Sequence, residues 1–149
     1  MGLSEGLSNP TKKAMVVDDC CKMIDAQLAS KQGISGIALK TAFNTLKGIK
    51  PGYISDVVET LLPQCLDAID PIWCEGVQNG DPVEYLVEHR SRTAEVLLSV
   101  TDNLVKDSKR KIARATYNQL RGSAKQHVEA AVPDLAKVIE KYTKTETYV

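Results

Sequence analysis

The chain has 149 residues, 43% of them hydrophobic and 26% charged, the balance of an ordinary globular protein with one core. Nineteen lysines and arginines offset nineteen aspartates and glutamates. That neutrality excludes the broad basic field of a general nucleic-acid binder, and the apolar fraction excludes a disordered polyampholyte.

Met1 to Asn9 carries one acidic residue, no lysine or arginine and no apolar run, unlike a secretory signal. Gly6 stands where a myristoylation pattern requires Ser or Thr. No stretch approaches the roughly 18 uninterrupted apolar residues of a membrane span. The expected location is the cytoplasm.

From there the chain reads as helix. Asn9-Pro10 supplies a cap and a proline at the first helical position. Ala14, Val17, Cys21, Ile24 and Leu28 then recur at spacings of three and four, one apolar stripe. Gly33, Ser35 and Gly36 break the chain before a second helix carrying Leu39, Ala42, Phe43 and Leu46, which Gly48 ends. Lys50-Pro51-Gly52 turns into a third helix with a wide stripe from Ile54 to Ile69, kinked or split at Pro63. Asp70-Pro71 is expected to open a connecting segment through Trp73 to Gly80, with Asp70 as its cap.

Asp81-Pro82-Val83-Glu84 is a capping box with proline at the first position. Stripes follow from Ala94 to Val105, from Ile112 to Leu120 and from Val128 to Tyr142, with a helix start near Ser91. Residues 143–149 form a polar tail expected to fray. Its Thr147-Tyr148-Val149 end has the form of a carboxylate-groove ligand by coincidence. No segment alternates with period two. The fold class is all-α, a bundle of about six main helices in one domain.

The two halves resemble each other. Lys40-x-x-Phe43-Asn44-x-Leu46-Lys47-Gly48 aligns without a gap on Arg114-x-x-Tyr117-Asn118-x-Leu120-Arg121-Gly122. After a four-residue offset, Val58-Glu59 to Pro63 aligns on Val128-Glu129 to Pro133. We infer two diverged three-helix units, near 9–70 and 81–142, joined by the Trp73 segment.

Lys31-x-Gly33-x-Ser35-Gly36, Lys40-x-x-Phe43, Lys50-Pro51-Gly52, Leu62-Pro63 and Asp70-Pro71-x-Trp73 together resemble a family of small bacterial proteins, a domain of unknown function. The resemblance runs from about Pro10 to Tyr142. It implies a helical fold in the bacterial cytosol and carries over no mechanism and no catalytic residues.

Chemistry-bearing patterns are sparse. Cys20, Cys21, Cys65 and Cys74 form no C-x-x-C pair, so they read as reduced, buried small hydrophobes. Phosphate-binding glycine loops and H-E-x-x-H are absent, and His89 and His127 lack the Glu-x-x-His spacing of a di-iron bundle. Both histidines read as surface or interface residues. Asp67 and Asp70 share a helical face, but a cap and a solvated carboxylate account for them. Lys106 to Arg114 holds five basic residues and one acidic one, a solvated helix start without the aromatic interleaving of a nucleic-acid surface.

Lys40, Phe43 and Lys47 lie on one helical face, repeated by Arg114, Tyr117 and Arg121. The first reading has the aromatic rings facing the core while the cationic stems snorkel outward. The second has Lys40, Lys47, Arg114, Tyr117, Arg121 and Trp73 lining an anion site. No metal or cofactor is expected. The sequence points to a non-enzymatic protein acting through protein contacts, with a homo-oligomer or protein partner and no specific nucleic acid or membrane span. The alternative is a small anionic or acyl ligand binder with a cleft between the units.

Overall fold

The computed structural model describes residues 3–7 and 10–147, except the side chains of Glu5 and of residues 144–147. Among the described residues there are seven helices and no strand: α1 (Leu3–Leu7), α2 (Pro10–Ser30), α3 (Gly33–Lys47), α4 (Tyr53–Gln78), α5 (Pro82–Glu88), α6 (Arg90–Lys106) and α7 (Lys111–Thr147). The all-α expectation holds.

The two longest helices organise the rest. Helices α1, α2, α3, α5 and α6 each pack against both α4 and α7, while among the described residues the α4 and α7 backbones do not approach each other closely. The core runs between them. It includes Leu62, Leu66, Ile69, Ile72 and Trp73 from α4, and Val132, Ala136, Ile139 and Tyr142 from α7. Their spacings of three and four put each set on one helical face.

Three sequence expectations are corrected. Asp70-Pro71 opens no new segment, because α4 continues through both Pro63 and Pro71 to Gln78. Each proline releases the carbonyl four residues back, at Glu59 and Asp67. Both residues are exposed, so water can take the released bond. Asp70 is consequently no cap of its own helix; its Oδ1 accepts from the Leu3 backbone N–H at 3.1 Å, holding the start of α1.

The second correction concerns Gly122. The stripes before and after it belong to one helix, α7, of 37 residues. Its counterpart Gly48 ends α3, and Gly52 at φ 73 completes the turn into α4. The four residues missing from the second half are those of this turn, so nothing there redirects the chain. The third is a rotation. The buried residues of α2 are Val16, Val17 and Cys20, while Ala14 is exposed and Cys21, Ile24 and Leu28 are half-buried. Because α2 lies against both α4 and α7, its buried arc is set by two neighbours and falls earlier than the expected stripe.

Other local signals hold. Asp81 Oδ1 accepts from the Glu84 N–H at 3.2 Å, with Pro82 first in α5. The break expected near Ser91 falls at His89. Pro10 begins α2, while its expected cap Asn9 lies outside the described residues. The tail expected to fray from residue 143 is instead helical to Thr147; Tyr148 and Val149 lie outside the described residues.

Candidate functional site

The richest polar constellation joins α6 to α7 across the turn at 107–110. Antiparallel helices joined by so short a turn bring Asp102 against the face bearing Tyr117 and Arg121. The Tyr117 hydroxyl donates to Asp102 Oδ1 at 2.6 Å and lies 2.7 Å from Thr101 Oγ1. The Arg121 guanidinium donates to both Asp102 oxygens, at 2.9 and 3.2 Å. That guanidinium, helped by the tyrosine hydroxyl, holds the Asp102 carboxyl below the usual carboxylate range against the opposing effect of burial. Burial, with the adjacent carboxylate, pushes the Tyr117 hydroxyl up to about 12. One turn on, Lys125 donates to Glu95 at 2.8 Å. Between them lies an open groove of about 360 Å³, lined by Glu95, Ser99, Asp102, Asn103, Arg121 and Lys125 along with Leu98.

The same three-part clasp recurs twice. Glu75 of α4 accepts from the Tyr85 hydroxyl at 2.7 Å and from both terminal nitrogens of Arg92 at 2.9 Å. Arg92 first and Tyr85 second bring the Glu75 carboxyl down to about 2. Asp19 of α2 accepts from the Tyr142 hydroxyl at 2.6 Å and from Lys141 at 3.0 Å, and both partners lower its pKa. Each clasp ties separate helices, those of Asp102 and Glu75 between neighbours in the chain and that of Asp19 between helices distant in sequence, and each leaves its carboxylate charged and already coordinated. The arrangement orients helices; it presents no free nucleophile or base.

The residues singled out from the sequence are dispersed. Tyr117 and Arg121 meet at Asp102. Arg114 is half-buried and donates to the Ser108 carbonyl, closing the α6–α7 turn. Lys47 pairs with Asp25 of α2 at 3.7 Å, and Lys40 is exposed. Trp73 is 6% exposed and belongs to the core. The groove lies between α6 and α7.

His89 sits at the α5–α6 junction, its ring stacked on Tyr85 with centroids 4.1 Å apart. Its Nδ1 is 2.9 Å from the Tyr85 carbonyl, to which it donates when protonated there. His127 Nε2 is buried without a hydrogen-bond partner, and burial, with nearby Lys31, lowers the ring's pKa. Of the cysteines, Cys20 is buried and Cys74 exposed, the latter against expectation. Among the described residues, no three His, Cys, Asp or Glu side chains converge as metal ligands, and no helix is long and apolar enough to cross a membrane.

Sequence reasoning overlooked Asp102 and Glu75, and gave Asp19 no tyrosine or lysine partner. The available signal was register: once the turn is placed at 107–110, Asp102 falls opposite the 117–121 face.

Fold and clasps define the class, an all-α bundle whose polar residues lace helices together. Residues 3–143 match a family of unknown function, DUF6918, and the chain belongs to that family. No curated protein and no solved structure matches the chain.

Proposed function

We propose that this protein is a non-enzymatic helical module of the bacterial cytoplasm that acts through protein contacts, self-association included. The observation that supports this reading is the outer face of α3, where Ile34 is 89% and Ile37 65% exposed. The two are a single turn apart, and the face continues through Ala38 and Thr41, with exposed Lys40 at its border. Such paired aliphatic exposure marks contact surface more often than isolated exposed residues do. The acids and bases of the three clasps, meanwhile, are engaged with each other.

Chemical cross-linking in intact cells tests it. The wild-type chain is expected to give higher-mass protein adducts, and Ile34→Asp combined with Ile37→Asp to lose a subset of them while keeping the wild-type melting temperature. A wild-type chain without adducts contradicts the reading.

A second reading, a binder of small anions, is supported by Arg121 and Lys125 in the groove. A ligand there has to replace Asp102 and Glu95 as their partners, which weakens affinity by the strength of those pairs. Reversing Arg121 and Lys125 to glutamate tests it; unchanged binding of inorganic phosphate ends it.

A further inference from the structure

The net charge of zero hides a strong separation along the bundle. Between Pro51 and His89, spanning α4 and α5, there are eight acidic residues and no lysine or arginine. The turn from Lys106 to Lys111 has the opposite character, with four cations and the single acid Asp107. At that turn Lys106, Lys109, Arg110 and Lys111 are all exposed, and none is in an ion pair with a described carboxylate.

Five of the eight acids lie along α4 from Asp56 to Glu75, while Asp81, Glu84 and Glu88 gather at the end of α4 away from the basic turn. Arg110 lies over the Tyr53 ring, 5.6 Å from its centroid, which puts the basic turn beside the first residue of α4. The acidic end is reached only after the 26 residues of α4, where α5 carries exposed Glu84 and Glu88 behind the cap Asp81. Helix α6 runs from the acidic end to the basic turn in 17 residues, so at 1.5 Å per residue Glu88 and Lys106 lie roughly 26 Å apart. Screening at physiological salt acts over roughly 8 Å, so the ends cannot satisfy each other within one chain. Arg90, exposed at the start of α6, offsets part of the acidic group and leaves it net negative. Each end also exposes an aliphatic side chain, Ile112 at 58% on the basic end and Val77 at 56% on the acidic one.

We propose that the basic α6–α7 end of one copy docks on the acidic α4–α5 end of a second, with Ile112 and Val77 as the apolar centre. This rests on the reading of the protein as a contact module and names the partner as another copy of the chain. Two different surfaces meet in such a contact, so association is head-to-tail and continues into a ring or filament. Opposite charges ringing a small apolar patch fix the direction and make the contact salt-sensitive.

Sedimentation velocity on the full chain tests it, at about 20 mM and about 500 mM salt. The wild type is expected to exceed the 16.3 kDa monomer mass increasingly with concentration at low salt and to return to it at high salt. Lys109→Glu with Lys111→Glu, and separately Glu84→Lys with Glu88→Lys, should each sediment as a monomer, with circular dichroism confirming the fold. Mixed together the two variants should associate again, because each then offers the end that the other lacks. The proposal is overturned by a monomeric wild type at both salts, by either variant associating as the wild type does, or by a mixture that stays monomeric. Binding of a mixed-sequence DNA duplex at low salt without self-association would also overturn it. Cellular adducts that persist while sedimentation ignores salt and charge reversal refute this end-to-end contact and leave the contact-module reading standing.

Discussion

Gly76 and Gly122 are both helical glycines, yet their surroundings differ. A Cβ at Gly76 would lie 2.7 Å from Pro82 Cα and 2.9 Å from Tyr85 Cβ, so α5 rests directly on the α4 backbone there. Nothing lies within 4 Å of a Cβ at Gly122. Gly76→Ala is therefore expected to cost about 1–3 kcal/mol through overpacking. Gly122→Ala should instead stabilise by roughly 0.5–1 kcal/mol, the usual penalty of glycine inside a helix. Urea denaturation of both variants checks the pair of signs. The cysteines separate by environment in the same way. Burial pushes the Cys20 thiol up to about 12 and Cys65 up to about 11, while Cys74 is exposed. An aromatic disulfide reagent at mildly alkaline pH should label Cys74 rapidly in the native protein and all four thiols only after denaturation.

The clasps act between elements, and they make stability depend on acid. The Glu75 carboxyl titrates at about 2 when folded against an ordinary value of 4.5, and Asp19 and Asp102 are shifted in the same direction. A depressed carboxylate contributes stability above its unfolded pKa and loses it as pH falls through the folded one. Urea midpoints are thus expected to fall as pH drops from 4.5 towards 2, and Arg92→Met should flatten part of that slope. Helix identity at this scale was legible in the sequence because apolar period, Asp81-Pro82 and the Gly48–Gly52 turn are local signals. The clasps were not, since Asp102 meets Arg121 only after the α6–α7 turn sets the register. The extent of α4 and α7 was misread for a related reason. Asp70-Pro71 and Gly122 have the form of boundary signals, and packing against five neighbouring helices overrides them.

Across the whole molecule, the other five helices each pack on both α4 and α7, and a basic turn and an acidic α4–α5 end lie at the two ends of α6, roughly 26 Å apart. A neutral total gave no hint of that division, because composition carries no position. Trp73 shows the same limit: its sequence position suited a cleft, while the fold places it in the core. The surface exposes aliphatic and charged area, which is what the proposed contact module would use. Native mass spectrometry of the protein purified gently from its own host tests that claim most directly. The account predicts species heavier than 16.3 kDa, made of further copies or of a protein partner, with no small molecule bound. A bare monomer, or a reproducible small added mass on each chain, would contradict it.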